Sequence, residues 1–172
     1  MAVATKSSTE IRSILAGLQA EAQAILGKYD QKRAALLPLL HLAQERIGHV
    51  SLEVEEWAAG LVETTPAHVH EVVTFYTLYH QHPIGKHHIQ VCSNMSCVLR
   101  GADEIIRHLE DRLEIKVGQT TKDGMFTLSS VECLCACEIA PMLQVNDRYV
   151  GPLTKESVDR LIDECRSNQQ RA

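Results

Sequence analysis

The sequence predicts an α+β protein in two parts, a helical N-terminal bundle over residues 1–85 and a smaller β-α-β-β-α arrangement over residues 86–172. Three observations carry that reading. Apolar residues recur at helical spacing from Ile11 to Tyr76; after Pro83 and Gly85 the period drops to two at His88-Ile89-Gln90-Val91-Cys92; and a polar Asn146-Asp147 turn separates two short apolar runs. A length of 172 residues suits one domain, or one compact domain with a helical extension.

The elements follow in order. Ser7-x-x-Glu10 has the form of a capping box and opens a first helix, with Ile11, Ile14, Leu15, Leu18, Ala22, Ile25 and Leu26 at helical spacing up to Gly27. A second helix is predicted from about Ala34 to Arg46, with Pro38 tolerable only near its first turn and Gly48 just past its end. A third runs from about Leu52 to Val62, placing Val54, Trp57, Ala58 and Leu61 on one face. Thr65-Pro66 reads as N-cap and N1 of a fourth, with Val69, Val72, Val73 and Tyr76 inward. In the second part, Ala102–Leu113 carries Ile105, Ile106, Leu109 and Leu113 at helical spacing. Met125–Val131 is strand-like, Met142–Val145 and Arg148–Val150 form a hairpin about the Asn146-Asp147 turn, and Val158, Leu161 and Ile162 mark a last helix before a solvated tail, Ser167–Ala172.

Composition excludes several classes of function. Apolar residues make up 45% and charged residues 23%, enough to build a core. The net charge of −5 is spread over both parts, with no basic arm to neutralise phosphates. A helix-turn-helix reading of Leu36–Tyr79 fails on the same ground, because its best recognition helix, Pro66–His80, holds no Lys or Arg. No nucleic acid partner is expected. The longest nearly apolar run, Ala34–Ala43, contains Pro38 and His41 and falls well short of the roughly 20 residues that span a bilayer, so no direct membrane insertion is expected. The start, MAVATKSSTE, has neither a secretory h-region nor an Arg-rich transit character, which gives a cytoplasmic expectation.

In a reducing compartment six cysteines point to metal or redox chemistry rather than disulfides. Cys92-x4-Cys97 and Cys133-x3-Cys137 each fall where a predicted strand gives way to a loop. Strand ends on one edge of a sheet lie close together, so the two pairs can converge on one site. Four thiolates suit Zn²⁺ or an iron–sulfur cluster. Structural zinc knuckles favour tighter Cys-x2–4-Cys turns, and a first pair beside a strand and a helix fits them less well. The alternative, buried thiols that merely pack, suits apolar faces better than loops holding Ser93, Asn94, Ser96 and Glu138.

At these residues a family resemblance becomes plain. Phe75-Tyr76, Gly85-Lys86-His87-His88-Ile89-Gln90-Val91-Cys92, Ser93-Asn94-Met95-Ser96-Cys97, Leu99-Arg100-Gly101 and Val131-Glu132-Cys133-Leu134 resemble the peripheral E subunit, or 24-kilodalton type, of respiratory complex I (NADH:quinone oxidoreductase) from about Ala34 to Glu164. The resemblance implies a helical N-terminal part followed by a thioredoxin-like [2Fe–2S] ferredoxin domain that transfers single electrons. It implies Cys92, Cys97, Cys133 and Cys137 as cluster ligands, the first two on one iron and the other two on the second. It further implies a partner subunit that binds flavin (FMN) and NADH, and a peripheral position on the cytoplasmic side of the membrane through the complex. This chain, with no Gly-x-Gly-x-x-Gly fingerprint, would then be a non-catalytic subunit of an enzyme, without a complete active site. Related subunits of NAD-linked hydrogenases and formate dehydrogenases, and a zinc-binding adaptor, are the alternative readings.

Two positions depart from the family pattern. Cys135 stands where Gly is usual between the second pair, and Glu138 where Gly usually follows the last ligand. Cys-x-Cys-x-Cys permits a ligand swap, but the register favours 133 and 137. Glu138, if near the irons, would oppose reduction. His80, His82, His87 and His88 gather around the junction of the two parts without being needed as ligands, and Cys165 in the last helix reads as a partly buried spare thiol. A cluster carrier without a substrate site must meet its partner by contact, so one uncovered apolar face is expected, on the first or second helix.

Overall fold

A computed structural model describes residues 6–167. It divides into two compact units, one ending at Pro83 and one beginning at Ile84.

The first unit is all helical: α1 (Ser8–Gly17), α2 (Gln19–Leu26), a 3₁₀ turn (Lys32–Ala35), α3 (Leu36–Ile47), α4 (Leu52–Val62) and α5 (Pro66–Phe75). The capping box is present, with the Ser7 N–H donating to Glu10 Oε2 at 2.7 Å and the Glu10 N–H to Ser7 Oγ at 3.3 Å. The single first helix expected from the sequence is in fact two. Leu18 sits at φ −87°, ψ 0° and its N–H bonds tightly back to the Leu15 carbonyl. Gly17, which costs about 1 kcal/mol relative to Ala inside a helix, makes the break cheap. The break also turns Leu15, Leu18, Ala22 and Leu26 into one core with Leu39, Leu40, Val54, Ala58, Val62 and Val69.

Helix α5 stops at Phe75 because Tyr76 turns to extended backbone (φ −91°, ψ 110°). Tyr76 is therefore exposed rather than inward as the periodicity predicts, and Tyr79 takes the buried place, donating from its hydroxyl to the Leu37 carbonyl at 2.9 Å. Burial pushes the Tyr79 phenol up to about 12. The uncovered apolar face is expected on the first or second predicted helix, and α3 is the second of these. The inward residues of α1 are buried in the core, whereas Phe75, the last residue of α5, and Leu78, just past it, stand exposed. Beside α3, Ile25, Leu37, Pro38, Leu42 and Leu78 line an open groove of about 410 Å³.

The second unit contains β1 (His87–Cys92), α6 (Met95–Leu99), α7 (Ala102–Leu113), β2 (Phe126–Val131), β3 (Leu143–Val145), β4 (Arg148–Val150) and α8 (Lys155–Ser167). The expected polar tail lies, after Ser167, outside the described residues. The sheet order is β2-β1-β3-β4; β1 and β2 run parallel, and the other neighbours antiparallel. The parallel pair requires a crossover, which α6 and α7 supply. Ile105, Leu109 and Leu113 of α7 and Val158, Leu161, Ile162 and Cys165 of α8 pack with Ile89, Val91, Phe126, Leu128 and Leu143 of the strands. Polar links join the two helices on their outer sides, His108 Nε2 to Asp159 at 3.0 Å and Arg112 to Asp163 at 3.2 Å. A side chain at Gly85 would strike the Phe126 backbone at 2.8 Å, so the glycine lets the chain entering β1 lie against β2.

Candidate functional site

The register of β1 and β2 positions both cysteine pairs. Cys92, the last residue of β1, pairs with Val131, the last residue of β2. The two strands therefore end side by side, and Cys133 follows two residues beyond that end. From β1 the chain turns at Ser93, whose N–H and Oγ both donate to the Val131 carbonyl at 2.9 Å. Asn94 then caps α6, and Cys97 lies on that helix. From β2 the loop 132–136 leads into a 3₁₀ turn, Cys137–Ile139. Gly151, at the end of β4, makes this turn possible: a Cβ there would overlap the Ile139 carbonyl oxygen and press on Met142.

The two loops meet. Cys92 and Cys97 pack in one small apolar cluster with Ala102, Ala136, Ala140 and Met142, flanked by Leu134 and Ile139. Both thiols are almost wholly buried, at 3% and 2% exposure, whereas Cys133, Cys135 and Cys137 are exposed. Burial pushes the Cys92 thiol up, but the N–H groups of Asn94 and Leu134 and the Cys97 thiol outweigh it, and the net direction is down. The Cys97 thiol is pushed up by burial and by its contact with Cys92, with Cys137 close enough to add to the effect and the Met142 N–H opposing it. Glu132 lies near enough to Cys92 to disfavour its thiolate.

Cys135 has φ 58°, a left-handed conformation that costs a residue with a Cβ roughly 1–2 kcal/mol and that glycine adopts freely. Its N–H donates to Cys133 Sγ at 3.3 Å, and the two sulfurs are 3.9 Å apart. Glu138 is exposed on the 3₁₀ turn. Cys165 is buried within α8 against the sheet core, and burial pushes its thiol up. Among the histidines, His88 Nε2 pairs with Ser129 Oγ at 2.8 Å, His87 lies beside Phe126, and burial lowers the affinity of His80 and His87 for a proton. Among the described residues, no three His, Cys, Asp or Glu side chains converge on a single ion. A [2Fe–2S] cluster asks instead for two thiolates at each of two irons, together with backbone N–H groups aimed at sulfur. Two cysteine pairs on adjoining loops, with the N–H groups of Asn94, Leu134 and Met142 turned toward Cys92 and Cys97, fit that demand.

Sequence reasoning singles out the two pairs but reads no element between 93 and 101, and so misses α6; the signal was the Asn94 cap. It also passes over Glu132 in favour of Glu138, since only the fold of the second loop tells which carboxylate approaches Cys92.

The sheet, the paired loops and the thiol set define a thioredoxin-like iron–sulfur carrier. Residues 22–166 match the thioredoxin-like [2Fe-2S] ferredoxin family, and the chain belongs to it; its cofactor is a [2Fe–2S] cluster. The chain is 42% identical over 153 residues to the E 2 subunit of NADH-quinone oxidoreductase of Rhizobium meliloti (strain 1021), covering 89% of this chain and 91% of that one. It is 46% identical over 148 residues to the E subunit of NADH-quinone oxidoreductase of Rickettsia prowazekii (strain Madrid E), covering 83% and 82%. Among solved structures it is similar in fold to an NAD+-reducing [NiFe]-hydrogenase in the air-oxidized state, with a TM-score of 0.68 at 21% identity over 77% of this chain. It spans only 23% of that hydrogenase chain.

Proposed function

We propose that this chain is the [2Fe–2S] electron-transfer subunit of an NADH:quinone oxidoreductase of the complex I type. In this reading Cys92 and Cys97 hold one iron, and Cys133 and Cys137 the other. The observation that carries the assignment is the β1/β2 register, Cys92 opposite Val131, which brings both pairs to one end of the sheet. The bound cluster supplies reversible one-electron chemistry. The chain's own residues tune and shelter it: N–H groups of Asn94, Leu134 and Met142 stabilise negative charge on the Cys92 and Cys97 sulfurs, and burial of those thiols keeps water from that side. The exposed pair, Cys133 and Cys137, forms the side open to a partner.

That partner is a flavin- and NADH-binding subunit with FMN, exchanging electrons with the cluster, and this chain has no complete active site of its own. Residues 1–85 act as the helical region and 86–172 as the ferredoxin domain. No helix of the described residues is long and apolar enough to cross a membrane, and the chain sits peripherally, on the cytoplasmic side, through the complex. Identity of 42% and 46% to the two complex I relatives, over most of their length, favours complex I over a hydrogenase or formate dehydrogenase. The test is to isolate the tagged full chain with its native partners and assay the assembly. NADH-dependent quinone reduction with FMN in the isolate is expected. Activity with hydrogen or formate, or an isolate without flavin, contradicts the assignment.

A further inference from the structure

We propose that Cys133 and Cys135 form a disulfide in the cluster-free chain, and that this bond locks the chain against cluster loading until it is reduced. The inference rests on the reading of Cys133 as a ligand, and it gives Cys135 a role that ligation does not. The two sulfurs lie 3.9 Å apart, and the Cys135 N–H donates to the Cys133 sulfur at 3.3 Å. A disulfide needs them at about 2.05 Å. The loop 132–136 that must adjust belongs to no helix or strand, so side-chain rotation and a small loop shift close the gap without breaking the sheet. Access selects the pair: Cys133 and Cys135 are exposed, whereas Cys92, Cys97 and Cys165 are buried. Cys137 is the one other exposed thiol among the described residues, and the contacts of the Cys133 sulfur, from the Cys135 thiol and N–H, are with Cys135.

The oxidant is a low-molecular-weight disulfide of the glutathione type. The Cys133 thiolate attacks one of its sulfurs, forming a mixed disulfide and releasing the other half as a thiolate. The Cys135 thiolate then attacks the Cys133 sulfur, forming the internal bond and releasing the second half. Two electrons pass from the cysteines to the small disulfide, and the two cysteine protons end on the two released thiols. Proximity favours the second step, which is intramolecular. The locked pair offers no thiolate to iron, and dithiol reductants restore it.

The experiment uses the full chain, stripped of iron by a chelator without oxygen, treated with oxidised glutathione, and mapped by mass spectrometry without reduction. The wild-type chain is expected to lose two hydrogens, with Cys133 joined to Cys135. Its uptake of iron and sulfide should fall by at least about tenfold and return with dithiothreitol, because metal binding requires the free thiolate. Cys135→Gly and Cys135→Ser should stop at a glutathione adduct on Cys133 with no internal bond. A map joining Cys133 to Cys137, or leaving Cys133 and Cys135 both free to alkylate, overturns the proposal. So does a joined chain that loads at the wild-type rate. In that event Cys133→Ser decides what failed: if it does not load, the lock alone is wrong, and if it loads fully, the ligand reading falls with it.

Discussion

Leu15→Ala tests whether the first helix belongs to the structural core of the helical unit or to a docking face. Leu15 is 4% exposed and packs with Leu39, Leu40 and Val54 in a core that shares no residue with those of the ferredoxin unit. Large-to-small substitution at such a site costs about 2–5 kcal/mol. With a urea m-value of about 1 kcal/mol/M for a unit of this size, the midpoint should fall by about 2 M or more. Trp57, the single tryptophan, lies on α4 against the same core and reports only the helical unit, while visible absorption of the cluster reports the other. The expected result on the loaded chain is a fluorescence transition moved to lower urea with the absorption transition unmoved. An unmoved fluorescence transition would mean that α1 contributes nothing to the core. Equal movement of both would mean that the units unfold as one.

Two further substitutions read the electrostatics. Glu53 accepts from Ser51 Oγ at 2.6 Å and Ser8 Oγ at 2.5 Å, and these hydroxyls hold its carboxyl down at about 2 against an ordinary 4.5. A depressed carboxyl stabilises the fold above its ordinary value and loses that contribution as pH falls through the folded one. Glu53→Gln should cost about 1 kcal/mol at neutral pH, and the gap in urea midpoints should narrow as pH drops from 4.5 toward 2; a gap that stays constant down to about pH 3 refutes the assignment. Glu132→Gln should raise the cluster's reduction potential, because a negative charge near Cys92 opposes the arriving electron. An exposed charge is worth about 1 kcal/mol or less, or about 40 mV for one electron. Glu138→Gln should shift it less, and a redox titration followed by EPR that shows no rise for Glu132→Gln contradicts the proximity.

Much of this was legible in the residues. The bounds of α4 and α7 coincide with their apolar periodicity, and Thr65-Pro66 and Ser7-x-x-Glu10 mark real helix starts, because capping is local chemistry. The break at Leu18 was not legible, since Gly17 is tolerated in a helix and only packing against α3 and α4 rewards a turn there. Helix α6 is five residues long, too short for a periodic signal. At the site, the spacing of the cysteines and a family resemblance point to the two pairs proposed as ligands. Their unequal burial depends on where β1 ends against β2, a pairing between segments that lie far apart in sequence. The left-handed backbone at Cys135 was foreshadowed by a Cys in a place where Gly is usual, but its contact with Cys133 belongs to the folded loop.

The central claim is that four particular cysteines hold one [2Fe–2S] cluster. Iron and acid-labile sulfide per chain, counted after anaerobic purification of the wild type and of the six single Cys→Ser variants, test it most directly. The account predicts a full cluster complement in the wild type, Cys135→Ser and Cys165→Ser, and loss or strong alteration, visible also in the reduced EPR signal, in Cys92→Ser, Cys97→Ser, Cys133→Ser and Cys137→Ser. Zinc without sulfide in the wild type, or loss of the cluster in Cys135→Ser with retention in Cys133→Ser or Cys137→Ser, would contradict it.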